Sequence, residues 1–118
     1  MSGATAFHAG LHAEDIVATD YAGRGYTEAA RRWRGQGGEI DLILRQGDAV
    51  IFTEVKKSKS FARAATRLGR RQMDRLIAAA SEFLENEPRG QLTDVRFDLA
   101  MVDGQGAVSV IENAFAEV

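Results

Sequence analysis

The spacing of apolar side chains divides the chain into helical and extended stretches. Leu11, Ile16, Val17 and Tyr21 fall roughly on one face of a 3.6-residue repeat, with Glu14, Asp15 and Asp20 as polar positions. This predicts a first helix over residues 9–23, ended by Gly23 and Gly25. Residues 26–34 fit neither period, although Trp33 reads as a core or edge aromatic. Gln36-Gly37-Gly38 is a loop signal. Two runs with period-2 character, residues 39–45 and 49–55, flank Gln46-Gly47-Asp48 and predict a β-hairpin. Residues 57–60 are polar and basic, and 61–67 read as a loop or a short helix. The strongest helical pattern lies in residues 68–86, where Met73, Leu76, Ile77, Ala80, Phe83 and Leu84 recur at three- and four-residue spacing. Pro88 cannot continue that helix. Residues 94–102 and 107–114 predict two more strands joined at Asp103-Gly104. The order α-β-β-α-β-β, with no repeat and no linker, predicts one α/β domain over residues 1–118, a mixed β-sheet flanked by helices.

Composition narrows this picture. A chain of 118 residues, 45% apolar and 27% charged, can bury one core and has no room for a second. With no cysteine, disulfides and zinc–thiolate sites are excluded. No apolar run approaches the roughly 18 residues of a membrane span, and the first ten residues lack the basic-then-apolar pattern of a secretory signal. The expectation is a soluble cytoplasmic protein with no membrane partner. The net charge of −2 argues against nucleic acid until its distribution is read. Residues 24–75 carry thirteen Lys and Arg against six Asp and Glu, whereas the flanks carry two Arg against eleven acids. A basic middle between acidic ends can present a local positive surface. Taken alone, the charge pattern fits solvated helix faces better.

The chemistry sits on the hairpin. Side chains alternate along a strand, so Glu54 and Lys56 share one face and Val55 takes the other. A two-residue turn at Gly47-Asp48, with Gly first, pairs Gln46 with Ala49; the register then sets Asp41 opposite Glu54 and Glu39 opposite Lys56. Directly opposed acids repel, and a divalent cation is the usual reason for tolerating them, because hard oxygen ligands suit Mg²⁺ and Mn²⁺. Mg²⁺ takes one or two carboxylates and keeps room for phosphate oxygens. Lys56 beside the pair can help deprotonate the attacking water and offset charge developing on a phosphate. The arrangement fits phosphodiester hydrolysis.

The Asp41, Glu54, Lys56 spacing across a hairpin resembles the active-site signature of the PD-(D/E)XK nuclease superfamily. More closely, the chain resembles the YraN-like family of small bacterial endonuclease-like proteins, with Holliday-junction-resolvase-type architecture. That likeness is carried by Ala13-Glu14-Asp15, Gly25-Tyr26, Gly38-Glu39-Ile40-Asp41-Leu42-Ile43, Glu54-Val55-Lys56, the helix bearing Gln72, and Arg96-Phe97-Asp98. The resemblance implies a restriction-endonuclease-like fold, Asp41 and Glu54 as metal-binding acids, and Lys56 as the catalytic lysine. It also implies Glu14 on the first helix as a third metal ligand and Gln72 as a site residue on the later helix. The chain departs from its relatives at Ser58, where they often carry a basic residue, with Lys57 and Lys59 on either side.

Each assignment has a plainer counterpart. Glu14 also reads as a helix N-terminal acid favoured by the macrodipole. Gln72 reads as a polar boundary residue, and Glu39 as a structural partner of Lys56. His8 and His12 have the i, i+4 spacing of a helical metal pair but no third ligand, so solvated histidines are expected; Asp98 receives no role. Given the site, some of Arg31, Arg32, Arg34, Lys57, Lys59, Arg63, Arg67, Arg70 and Arg71 are expected to touch phosphate, positioning a strand without reading its bases. The leading expectation is a Mg²⁺- or Mn²⁺-dependent nuclease domain acting on DNA, branched or single-stranded. Resolvase-like domains often pair to cut two strands, which extends the expectation to a homodimer. The alternatives are a non-catalytic nucleic-acid-binding module that keeps the fold and a structural protein contacting a partner through its acidic C-terminal part.

Overall fold

A computed structural model describes residues 3–57 and 69–114, with the side chains of the first helix described from His12 onward. Helix α1 spans Gly3–Gly23, followed by strands β1 (Thr27–Arg34), β2 (Glu39–Gln46) and β3 (Ala49–Lys57). Helix α2 (Arg70–Leu84) and a single 3₁₀ turn (Gly90–Leu92) lead to β4 (Val95–Val102) and β5 (Val108–Ile111). The five strands form one mixed sheet in sequence order. All neighbours are antiparallel except β3 and β4. That parallel pair needs a long crossover, and the connection carrying α2 supplies it. Among the described residues no helix is long and apolar enough to cross a membrane.

The expected class, a mixed sheet flanked by helices, is the observed one, but the expected order lacks a strand. Residues 26–34, which fit neither period, contain β1. Its sequence TEAARRWR is rich in Ala and Arg, which favour helix; pairing with β2 and the half-burial of Ala29, Ala30 and Trp33 against the α2 layer override that preference. The register slips at Glu28/Ala30, and Arg32 takes a left-handed backbone with φ of 52°, so no clean alternation survives.

Two apolar layers hold the sheet. On one face Val17 and Tyr21 of α1 pack with Leu42, Leu44, Ile51 and Val102. On the other, Leu76, Ala79, Ala80 and Leu84 of α2 pack with Ile40, Ile43, Val50 and Phe52. The middle strands are covered on both sides, which is why Val50-Ile51-Phe52 and Leu99-Ala100-Met101-Val102 are unbroken apolar runs. The α1 layer also contains a buried polar knot. Asp98 is fully buried and accepts hydrogen bonds from the Tyr21 hydroxyl at 2.7 Å, from Arg96 Nε and Nη2 at 2.8 Å, and from the Asn113 N–H at 3.1 Å. Thr53 donates to the Tyr21 hydroxyl, and Arg96 also donates to the Tyr26 hydroxyl. A buried carboxylate is tolerable when its charge and lone pairs are this fully answered.

Candidate functional site

The β2–β3 hairpin has the expected register. Gly47, with φ of 59°, opens a two-residue turn that pairs Gln46 with Ala49, and pairing continues to Leu42 opposite Thr53. Beyond that point the ladder ends. Continued register would send the Val55 N–H toward Ile40; instead it donates to Asp41 Oδ2 at 2.8 Å. The Asp41 side chain thus stands in for a backbone acceptor where β2 leaves β3.

The same place marks a change of face. Leu42 and Leu44 lie in the α1 layer and Ile43 in the α2 layer, as alternation demands, yet Ile40 joins Ile43 rather than Leu42. The β1 partner shows the complementary defect at Arg32, between the pairs Arg31/Leu42 and Trp33/Ile40. Both strands roll over at Asp41, and a cleft of about 240 Å³ opens on the α2 side. Glu39, Asp41, Glu54, Gln72, Arg75 and Leu76 line it. It lies toward the carboxyl end of β3, the usual ligand end for parallel strands.

Glu54 sits against Asp41. It is 8% exposed, and burial, followed by the charge of Asp41 and a hydrogen bond shared with it, pushes its carboxyl up to about 8. Lys56 Nζ lies 3.6 Å from Glu54 Oε1 and opposes that rise. Two carboxyl groups this close hold a proton between them unless a cation replaces it.

Glu14 reaches the same region from the other layer. It is 6% exposed, and its Oε1 has no hydrogen-bond partner, although Arg32 Nη1 stands 3.6 Å away. Burial first, then Asp41, raises its pKa, with Arg32 and Arg31 opposing. Since α1 begins at Gly3, Glu14 lies in mid-helix, and the macrodipole explanation of an acid at this position falls. Among the described residues no three His, Cys, Asp or Glu side chains close into a ready-made metal cage. Mg²⁺ needs less, one or two carboxylates and several waters, and the donor set of Asp41 and Glu54, with a buried Glu14 oxygen nearby that accepts no hydrogen bond, fits it.

The other expected residues sort themselves by partner. Gln72 lines the cleft, as expected. Glu39 does so too, but its ion pairs are with Arg34 at 3.3 Å and Arg32 at 3.9 Å, and not with Lys56. The face change at Asp41 explains this, because it turns Glu39 toward β1. Arg31 pairs with Asp15 and Glu28, and Arg70 with Asp74, so these arginines have acid partners within the fold. His12 and Lys57 line a separate cleft of about 220 Å³ near Asp103–Gly106. The His8 side chain, Ser58, Lys59, Arg63 and Arg67 lie outside the described residues. Arg75 also lines the cleft, outside the expected set; its signal in the sequence is the position one turn beyond Gln72 on the same helix face.

The glycine-rich loop fixes this geometry. Glu82 of α2 accepts the N–H groups of Gln36 at 2.8 Å and Gly37 at 2.6 Å. A Cβ on Gly37 would lie 2.8 Å from that of Ala78, so only glycine lets the loop reach α2 and aim Glu39–Asp41 into the cleft.

Comparison with known proteins agrees on a family. The model of the uncharacterised protein family UPF0102 matches residues 13–102. A UPF0102 protein of Cereibacter sphaeroides is 64% identical over 116 residues, covering 98% of this chain and 99% of the relative. One from Ruegeria pomeroyi is 62% identical over 107 residues, 91% of this chain and 87% of the relative. One from Roseobacter denitrificans is 54% identical over 116 residues, 98% and 90% of the two chains. The matched span runs from the helix that carries Glu14 to the end of β4 and takes in every residue of the cleft, and the chain belongs to the UPF0102 family.

Proposed function

We propose that this protein is a divalent-cation-dependent nuclease domain of the PD-(D/E)XK kind, with a restriction-endonuclease-like fold, that hydrolyses phosphodiester bonds in DNA, branched or single-stranded. The observation that carries the reading is the meeting of Asp41 and Glu54 at the point where β2 and β3 part, with Lys56 on the same strand 3.6 Å from Glu54. Asp41 and Glu54, with Glu14 behind them, would hold Mg²⁺ or Mn²⁺. The ion, when bound, would polarise the phosphate and lower the pKa of water. Lys56 orients the attacking water and stabilises negative charge as it grows on the phosphate oxygens. Gln72 faces this centre across the cleft and supplies an amide to water or phosphate. Leu76 closes the floor and keeps bulk water from the carboxyl pair.

The test is cleavage of branched, single-stranded and duplex DNA by purified protein in Mg²⁺ or Mn²⁺, beside Asp41→Ala and Glu54→Ala. Cleavage by the wild type and its loss in both variants is expected. Cleavage that survives in either variant would assign the activity to a contaminant. Salt-sensitive DNA binding with no cleavage in any metal would instead identify a binding module that retains the fold.

A further inference from the structure

The cleft has one acidic wall and one wall that is not acidic. Asp41, Glu54 and Glu39 face Gln72 and Arg75 of α2 across it. A guanidinium that lines the same cleft as three carboxyl groups would ordinarily close onto one of them. Among the described residues Arg75 forms no ion pair, nor does Arg71, one turn earlier on the helix. Their neighbours behave otherwise: Arg70 pairs with Asp74, and Arg31, Arg32 and Arg34 each meet an acid. Arg75 and Arg71 are both exposed, and together with Asp74 they line a shallow surface pocket outside the cleft. Arg75 belongs to both hollows, so a cationic path leads from the carboxyl pair out along α2.

The glycine loop runs alongside Arg75: a Cβ on Gly38 would lie 3.5 Å from the Arg75 Cβ, ordinary contact distance, and the Glu82 clamp on Gln36 and Gly37 ties the loop to α2 about two turns further along the helix. Arg71 and Arg75 are four residues apart, about 6 Å along a helix axis, a separation that neighbouring phosphates of one strand can span. A planar guanidinium offers two parallel donors to phosphate oxygens, which a lysine cannot match.

We infer that Arg75 grips the phosphate under attack while Arg71 grips the next phosphate of the same strand, so the site takes a polynucleotide strand laid along α2 and not an isolated phosphodiester. This rests on the nuclease reading for the position of the reacting phosphate. The strand contact itself needs no metal, and the experiment uses that.

The probes are a fluorescent single-stranded oligodeoxynucleotide and a dinucleoside monophosphate, which carries one phosphate. Binding of each is measured in chelator and again in Ca²⁺ over a range of salt. Wild type should bind the oligonucleotide far more tightly than the dinucleoside. Arg71→Ala should weaken oligonucleotide binding about tenfold, lower the salt slope by about 0.7 for one lost phosphate contact, and leave dinucleoside binding unchanged. Arg75→Ala should weaken both probes, and Arg75→Lys should restore the salt slope but only part of the affinity. Both side chains are exposed and free of ion pairs among the described residues, so the variants should keep wild-type melting temperatures, and Arg71→Ala, outside the carboxyl cleft, should keep wild-type Mn²⁺ affinity. An Arg71→Ala protein with wild-type affinity and slope overturns the inference, as does a wild type that binds the two probes equally or binds neither. If the arginine-dependent binding holds while Mn²⁺ binding and cleavage are absent, the strand path stands and the nuclease reading fails.

Discussion

Raising the pH should destabilise the metal-free protein across a range where ordinary carboxyl groups no longer titrate. In the folded chain Glu54 keeps its proton up to about 8, against 4.5 for the free side chain, because burial and then Asp41 oppose its charge. Between these values the native state holds a proton that the unfolded chain has released, so stability falls as pH rises. The stabilisation is complete below about 4.5 and is lost by the time the folded group titrates near 8. At 1.36 kcal/mol per unit, the loss between about pH 6 and about pH 8 is roughly 2 kcal/mol, or about 10 °C in melting temperature for a domain of this size. Glu14, also raised by burial, acts in the same direction. Glu87, lowered by its hydrogen bond with Arg45, loses its contribution only in acid and leaves this window alone. Thermal melts in chelator across this pH range give the slope. Glu54→Gln, which mimics the protonated acid, should flatten it and be more stable than wild type at the alkaline end. Mn²⁺ at about a hundred times its dissociation constant should add about 2.7 kcal/mol to wild type, with tighter binding at higher pH because a proton must leave first, and nothing to Glu54→Gln. Equal pH slopes for wild type and Glu54→Gln in chelator would refute a proton held at this site.

Three further outcomes follow from the same geometry. Lys56→Gln should keep Mn²⁺ binding, measured by calorimetry, and reduce cleavage at least a hundredfold; undiminished cleavage would remove Lys56 from the chemistry. Asp98→Ala leaves Arg96 and the Tyr21 hydroxyl without their shared acceptor and should cost about 3–5 kcal/mol in urea unfolding, whereas a cost under about 1 kcal/mol would show that the knot is solvated. Gly37→Ala drives a methyl against Ala78 and should cost about 1–3 kcal/mol while weakening Mn²⁺ binding; unchanged values for both would mean the loop does not aim the acids.

The parts of the molecule legible in its sequence are those governed by local rules. A glycine-first two-residue turn permits one register, and that register alone brings Asp41 and Glu54 together. The 3.6 period of α2 and the runs of β4 and β5 were visible because their apolar partners lie on fixed faces. What escaped depended on other layers. Strand β1 was hidden because Ala and Arg favour helix and its alternation is interrupted at Arg32. Glu14 read as a helix-end acid because the helix continues back to Gly3 through Gly- and Ala-rich sequence. Asp98 receives no role from the sequence, since nothing local announces that Tyr21, from a distant helix, descends on it. The pairing of Glu39 with Lys56 failed for a deeper reason, the end of the regular hairpin at Asp41.

That failure explains why the site is where it is. A regular antiparallel ladder resists two acids set directly opposite each other, and an unbroken β2 would have carried Ile40 into the α1 layer with Leu42. The apolar pattern forbids this: Ile40 is needed beside Ile43 against α2. The strand therefore rolls over at Asp41, its β1 neighbour accommodates the roll with a left-handed Arg32, and β3 is left with an N–H that the Asp41 carboxylate accepts. The demand of the core for Ile40 on one face opens the sheet, frees an acid from the ladder and sets it beside Glu54 in a cleft that α2 can reach. Packing that would be a defect elsewhere in the sheet here opens the cleft that the proposed site uses, a local conflict between strand periodicity and core composition of the kind that functional sites carry.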